Sequence, residues 1–191
     1  MCSSDLLNGN KRFVTPAAGA DGFIVSAAQS DATHLYYIAA NTPGLGVKLE
    51  KRSDGTFSGE LTFTNVASSD LVASGEAATT ALTRALHETA ILASCELYAV
   101  MSRALATTVD YMKTRVQFGK PIGSFQGLQH RAVDLLIQKE LSSALLDDTI
   151  RELDTTPDMP LERLAELAHR CKSRCSDAGM DITRESIRLH G

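Results

Sequence analysis

The alternation of hydrophobic and polar positions changes rhythm once along this chain, near Gly75. Before it, apolar residues come in short runs: "KRFVT", "GFIVSAA", "HLYYIAA" and "GELTFTNV". These runs are rich in β-branched and aromatic side chains and are separated by Gly, Asp, Pro and Ser, the pattern of strands joined by turns. "NTPGLGV" and "RSDGTFSG" supply turn chemistry between them. The expectation for residues 7–75 is a partial antiparallel β-barrel or sheet with open edges. After Gly75 the chain carries no Gly or Pro from residue 77 to about 114. Leu82, Leu86, Ala93, Leu97, Val100 and Leu105 recur near helical spacing. Ala, Cys and Ile occupy the other faces, so this helix is expected to be buried on most sides. A second helix is predicted from about Phe125 to Leu153, with Leu128, Leu135 and Leu145 inward, and "DTTPDMP" ends it. A third runs from about Leu161 to Leu189 with Leu164, Leu167, Cys171, Cys175 and Ile187 inward, weakened locally by Gly179. The whole reads as an α+β chain: the partial sheet or barrel, then a long-helix up-down bundle over residues 76–191 that lacks its last helix. There is no internal repeat.

Composition narrows the function classes. At 191 residues and 43% apolar the chain can bury a core, and its net charge of −4 gives no basic footprint for nucleic acid. Aromatics are 5% with no Trp, too few for a single-strand stacking platform. No apolar run reads as a membrane span, and there is no charged-then-apolar leader. Cys2, Cys95, Cys171 and Cys175 form no C-x-x-C pair and no zinc set, so no metal is expected. Free buried thiols in the reducing cytoplasm are the expectation. "MCSSDL" does not lead into "LNGNKRF", and CSSDL is what one frame of a common sequencing adapter encodes; residues 1–6 are expected to be a non-native artefact. The chain stops at "RLHG" in mid-pattern, so a fragment is expected.

The least generic stretch is "YMKTRVQFGKPIGSFQGLQHRAVDLL", residues 111–136. A plain helix–helix corner needs only the turn chemistry of its glycines and proline. Taken singly, Arg115 is a solvated charge at a helix end and a Phe after Gln is a core residue. The ordered set closely resembles the acyl-CoA dehydrogenase family. "GNKRFVTPAAGADGFIVSA" resembles that family's middle β-domain, and "ESIRLHG" resembles its Gln-x-x-Gly-Gly stretch, cut inside the glycine pair.

The resemblance implies FAD as cofactor, at a corner that reaches across a dimer contact to the neighbouring subunit's FAD. Arg115 would meet the pyrophosphate, a role suited to a forked, always charged guanidinium. Gln117 and Phe118 would line the dinucleotide's path, with Gly119 and Pro121 turning the chain so that these groups point outward. Phe125 and Gln126 would open the next helix beside the same cofactor. Gln129 and His130 are assigned to packing or hydrogen bonding within the bundle. Phe13, Val14 and Thr15 fall where the family sets aromatic, aliphatic and Thr residues against the flavin ring, the Thr hydroxyl facing N5. Pro16 stands where Asn is common. Arg188 stands where Gln is usual beside the partner's FAD, and Gly191 is the first of the cut glycine pair.

The implied reaction is α,β-dehydrogenation of an acyl-CoA thioester, with a carboxylate taking the α-proton and hydride passing to the flavin. Most members carry that carboxylate as a Glu beyond the third helix; in a minority it lies on the first, roughly seven turns before Arg115. Thr89 occupies that place here. Glu88 beside it reads as a structural carboxylate, and Ala90 stands where many relatives have an Arg for CoA. No catalytic base is therefore assigned. "GSFQGLQHRAVDLLIQKEL" particularly resembles small subunits of two-component enzymes, including those acting on pimeloyl-CoA or steroid side chains. The alternatives are a non-catalytic partner subunit and a flavin monooxygenase or oxidase of the same fold. Expected partners are an acyl-CoA, electron-transfer flavoprotein or a similar acceptor, and the other chains of a homo- or hetero-tetramer, with no nucleic acid and no membrane.

Overall fold

A computed structural model describes residues 6–67 and 70–191, so most of the segment read as an artefact lies outside the described residues. Leu6, its last residue, opens β1 and pairs with Ala67. The chain divides into two compact units, Met1–Leu82 and Thr83–Gly191.

The first unit holds two three-stranded antiparallel sheets. One has the order β1 (Leu6–Val14), β5 (Phe57–Ala67), β4 (Leu45–Lys51); the other has β2 (Gly22–Gln29), β3 (Ala32–Ala39), β6 (Asp70–Ser74). They are separate antiparallel sheets, which fits the sheet alternative of the expectation, and no closed barrel is found among the described residues. Alternation explains the inner faces: Gly59, Leu61 and Phe63 of β5 are buried, and Glu60 and Thr62 between them are not. The rhythm slips at Asn65, whose φ is +50° and whose N–H donates to Asn8 Oδ1 at 2.9 Å. That bulge brings Val66 to the interior. Phe23, Val25, Tyr36 and Ile38 complete the core with Ala17. Each large apolar side chain buried there contributes about 1.5–3 kcal/mol.

Helices α1 (Gly75–Thr114), α2 (Gln126–Thr155) and α3 (Leu161–His190) lie within a residue or two of the expected spans. In the second unit α1 lays down one seam: Ile91, Ser94, Met101, Leu105, Thr108 and Met112 are buried at three-, four- and seven-residue spacing. Ser94 Oγ and Thr108 Oγ1 donate to the carbonyls of Ala90 and Ala104, so neither buried hydroxyl is left unpaired. Leu135 and Leu146 of α2 and a continuous stripe on α3 from Cys171 to Leu189 close the main core. Leu164, Leu167 and Ala168 form a second cluster with Ile91 and Met159, the residue that anchors the α2–α3 connection.

Three expectations are corrected here. First, α1 is not buried on most sides, because Leu86, Leu92 and Val100 are exposed. Second, Ile187 of α3 also faces outward. Val100 precedes Met101 and Ile187 follows Ser186, and one residue rotates a side chain about 100° off the buried seam. Third, α1 is long and apolar enough, by length and composition alone, to cross a membrane. Met101, Leu105 and Met112 of its seam lie in a core shared with α2 and α3. The thiols of Cys171 and Cys175 are fully buried. Burial, with Cys171 and Cys95 nearby, pushes the Cys175 thiol up to about 11.

Candidate functional site

Helix α1 ends where the Arg115 N–H donates to the Tyr111 carbonyl at 2.8 Å. The chain then makes a miniature hairpin, β7 (Val116–Gln117) against β8 (Lys120–Pro121), with Val116 opposite Pro121 and Gln117 opposite Lys120. Only Phe118 and Gly119 remain for the loop, and their φ angles are +53° and +79°. Two positive φ angles in a two-residue hairpin loop are what a type I′ turn requires. Gly119 adopts this freely; Phe118, with its Cβ and ring, is strained there by about 1–2 kcal/mol. In return the ring stands outside the fold, 91% exposed. It touches Phe125 edge-on at 6.2 Å, and the Lys120 ammonium lies 4.4 Å from the Phe125 ring centre.

The elbow is fixed from below. The Ile122 N–H donates to the Arg115 carbonyl at 2.8 Å, and the Ile122 side chain joins the bundle core. Gly123 passes so close to α1 that a Cβ there would lie 2.9 Å from the Met112 carbonyl oxygen. Gln129 reaches back from α2, its Nε2 donating to the Gly123 carbonyl at 2.8 Å. Gln129 thus holds the corner, while His130 is exposed on α2. Phe125 caps α2 with extended backbone and no side-chain bond. Above this frame Arg115, Gln117 and Gln126 are exposed. Among the described residues the Arg115 guanidinium has neither a hydrogen-bond nor an ion-pair partner. The rim is therefore an unpaired cation, two amides and a bare aromatic ring on a rigid base.

The end of α3 comes to the same corner. Tyr111 Oη donates to the His190 carbonyl at 3.2 Å, and the two rings stack at 4.2 Å with 14° between planes. Gly191 follows, exposed. Arg188 is ion-paired to Glu185 on its own helix, and that carboxylate also lies 3.8 Å from Arg131. Reading residues singly missed Tyr111, His190 and Lys120 as parts of this corner. A tyrosine four residues before the motif arginine was the available signal for the first; nothing in the spacing marks the other two.

Phe13, Val14 and Thr15 belong to the other unit. Phe13 is 79% exposed with φ at +59°, and the Arg12 guanidinium lies 5.3 Å from its ring centre. Its place coincides with the register shift between Lys11 and Val14 that ends β1. Val14 packs on the sheet core, and Thr15 is exposed before a cis bond to Pro16. On α1, Glu88 Oε1 lies 3.7 Å from Arg84 and Thr89 Oγ1 donates to the Ala85 carbonyl at 2.7 Å, so both side chains are engaged locally.

Residues 79–191 match the family described as acyl-CoA dehydrogenase, C-terminal domain. The chain is 38% identical over 102 residues to the acyl-CoA dehydrogenase IpdE2 of Mycolicibacterium smegmatis, covering 53% of this chain and 30% of that protein. It is 32% identical over 201 residues to an acyl-CoA dehydrogenase of Bacillus subtilis, covering 97% of this chain and 50% of the relative. The solved structure of PigA with FAD and proline superposes with a TM-score of 0.85 at 25% identity, over 97% of this chain and 50% of that one. The chain thus spans half or less of the length of these relatives. The motif-bearing elbow and the helical domain around it are those of one family: the chain belongs to the acyl-CoA dehydrogenases.

Proposed function

We propose that this chain forms the sheet and bundle portion of an FAD-dependent acyl-CoA dehydrogenase, and that its elbow grips the diphosphate end of an FAD seated mainly in an adjacent subunit. One observation carries the reading: Arg115 and Phe118 are turned outward on a braced corner, with no partner for the guanidinium among the described residues. The donor set fits the cofactor. A free guanidinium forks onto phosphate oxygens, Gln117 and Gln126 offer amides along a polar edge, and Phe118 offers apolar area. In the first unit the exposed Phe13 ring and Thr15 hydroxyl are suited to a flavin ring and its N5.

When bound, FAD accepts the hydride lost from the acyl β-carbon. This chain's part is to bind and orient. Arg115 neutralises phosphate charge, Phe118 excludes water from the dinucleotide, and Gln129 and Gly123 keep the corner from shifting. Glu88 is held by Arg84 and Thr89 by its own helix, so neither is offered as the base. The proton is taken by a group outside those assigned here. Arg188, paired with Glu185, would reach a phosphate only after that pair opens. An electron-transfer flavoprotein or similar acceptor would reoxidise the flavin; the cross-subunit site calls for at least a second chain, within a homo- or hetero-tetramer. Free cysteines at 95, 171 and 175 favour a reducing compartment such as the cytoplasm.

The test is anaerobic mixing of the flavin-loaded assembly containing this chain with a panel of acyl-CoAs. Bleaching of oxidised flavin by one of them supports the reading. Reduction only by a nicotinamide or a nitroalkane would move the protein to the monooxygenases or oxidases, and a flavin that no acyl-CoA reduces would refute dehydrogenation.

A further inference from the structure

Outside the elbow, α1 and α3 bring together two imidazoles that the reading above does not use. His87 and His169 face each other across the helix pair, ring centres 5.4 Å apart and planes at 78°. The packing beside them is dry: Ile91, one turn after His87, and Ala168, next to His169, are buried in one cluster with Met159, Leu164 and Leu167. His87 is half-buried and His169 exposed. Among the described residues no hydrogen bond or ion pair engages either ring, so their only recorded contact is with each other.

The separation is that of two imidazoles on one tetrahedral ion. With Zn–N at about 2.0–2.1 Å and roughly 1.1 Å from nitrogen to ring centre, ligands about 109° apart set their ring centres about 5.2 Å apart. The charges around the pair permit a cation. Glu88 follows His87, and Glu166 lies one turn before His169; each is in turn tempered by arginine, Arg84 for the first and Arg163 and Arg170 for the second. No cluster of three His, Cys, Asp or Glu with metal-binding geometry occurs among the described residues, so water completes the coordination shell.

We propose that His87 and His169 form a two-imidazole site for a borderline divalent cation, Zn²⁺, Ni²⁺ or Cu²⁺, that clips α1 to α3. Nitrogen donors select these ions over Mg²⁺ and Ca²⁺, and Cu²⁺ binds tightest in the usual order.

The 191-residue chain is titrated calorimetrically with ZnCl₂ and, separately, with MgCl₂. Expected is one Zn²⁺ per chain and no Mg²⁺. His87→Gln and His169→Gln should each weaken Zn²⁺ by about tenfold or more, with His130→Gln unchanged. Equal Zn²⁺ affinity in either Gln variant, or no Zn²⁺ uptake at millimolar metal, overturns the site. Should a variant misfold, Cu²⁺ electron paramagnetic resonance on the unaltered chain decides: hyperfine structure from two nitrogens supports the pair, and one or none refutes it.

Discussion

Replacing Phe118 with Asn should stabilise the helical unit and weaken the proposed cofactor contact at once. A bulky residue in the left-handed region costs about 1–2 kcal/mol, whereas Asn is tolerated there and Asn-Gly is a preferred type I′ loop. The ring at 91% exposure buries almost nothing, so little hydrophobic contribution is lost. Its edge contact with Phe125 belongs to a class worth about 0.5–1.5 kcal/mol, and solvent exposure puts this one near the lower end. The balance is a gain of about 0.5–1.5 kcal/mol, or a thermal midpoint roughly 2–6 °C higher for a unit of this size. Thermal unfolding followed by circular dichroism measures it. In the flavin-loaded assembly the same variant should release FAD more readily. A Phe118→Asn chain whose midpoint falls by several degrees would show that the ring is a packing element and that the strain argument is wrong.

Gly123→Ala should cost about 1–3 kcal/mol, because its Cβ would press on the Met112 carbonyl at 2.9 Å and lift the elbow off α1; urea unfolding reads the loss directly. Leu164→Ala, at a fully buried position, should cost about 2–5 kcal/mol in the same assay. Cys171 and Cys175 should resist thiol reagents at neutral pH until the chain unfolds, since both are buried and the Cys175 pKa stands near 11; peptide-resolved alkylation keeps these sites apart from Cys2. The Arg163 guanidinium holds Glu152 below the ordinary carboxylate range. Its contribution is therefore present above the unfolded Glu pKa and is lost as pH falls through the lowered folded value. Glu152→Gln should be less stable than the parent near neutrality, with the gap closing in acid.

Helix extents were legible because the signals are local. No Gly or Pro interrupts residues 77–114, and Pro157 and Pro160 bracket the α2–α3 turn. Which side of α1 is covered was not legible: Ala and Leu occur on every face, and the difference between Val100 outside and Met101 inside is set by α2 and α3. The same holds for the sheets, where β1 finds β5 rather than a sequence neighbour and closure into a barrel depends on pairings far apart in the chain. At the elbow, "QFGKP" announced a turn, and the ordered motif marked Arg115 and Phe118. The left-handed φ of Phe118 follows only from the pairing of Val116–Gln117 with Lys120–Pro121. Tyr111 and His190 meet across two helix ends, which no spacing rule in a single sequence connects.

The central claim is that the corner after α1 holds a dinucleotide diphosphate from a neighbouring protomer. It is tested most directly by FAD retained per chain after gel filtration of the assembled protein, with Arg115 intact or changed to Ala. Losing an unpaired, exposed guanidinium should leave the unfolding midpoint of the helical unit unchanged while FAD retention drops by about tenfold or more, the scale of one charge-assisted contact. Full FAD retention by the Arg115→Ala assembly would contradict the account.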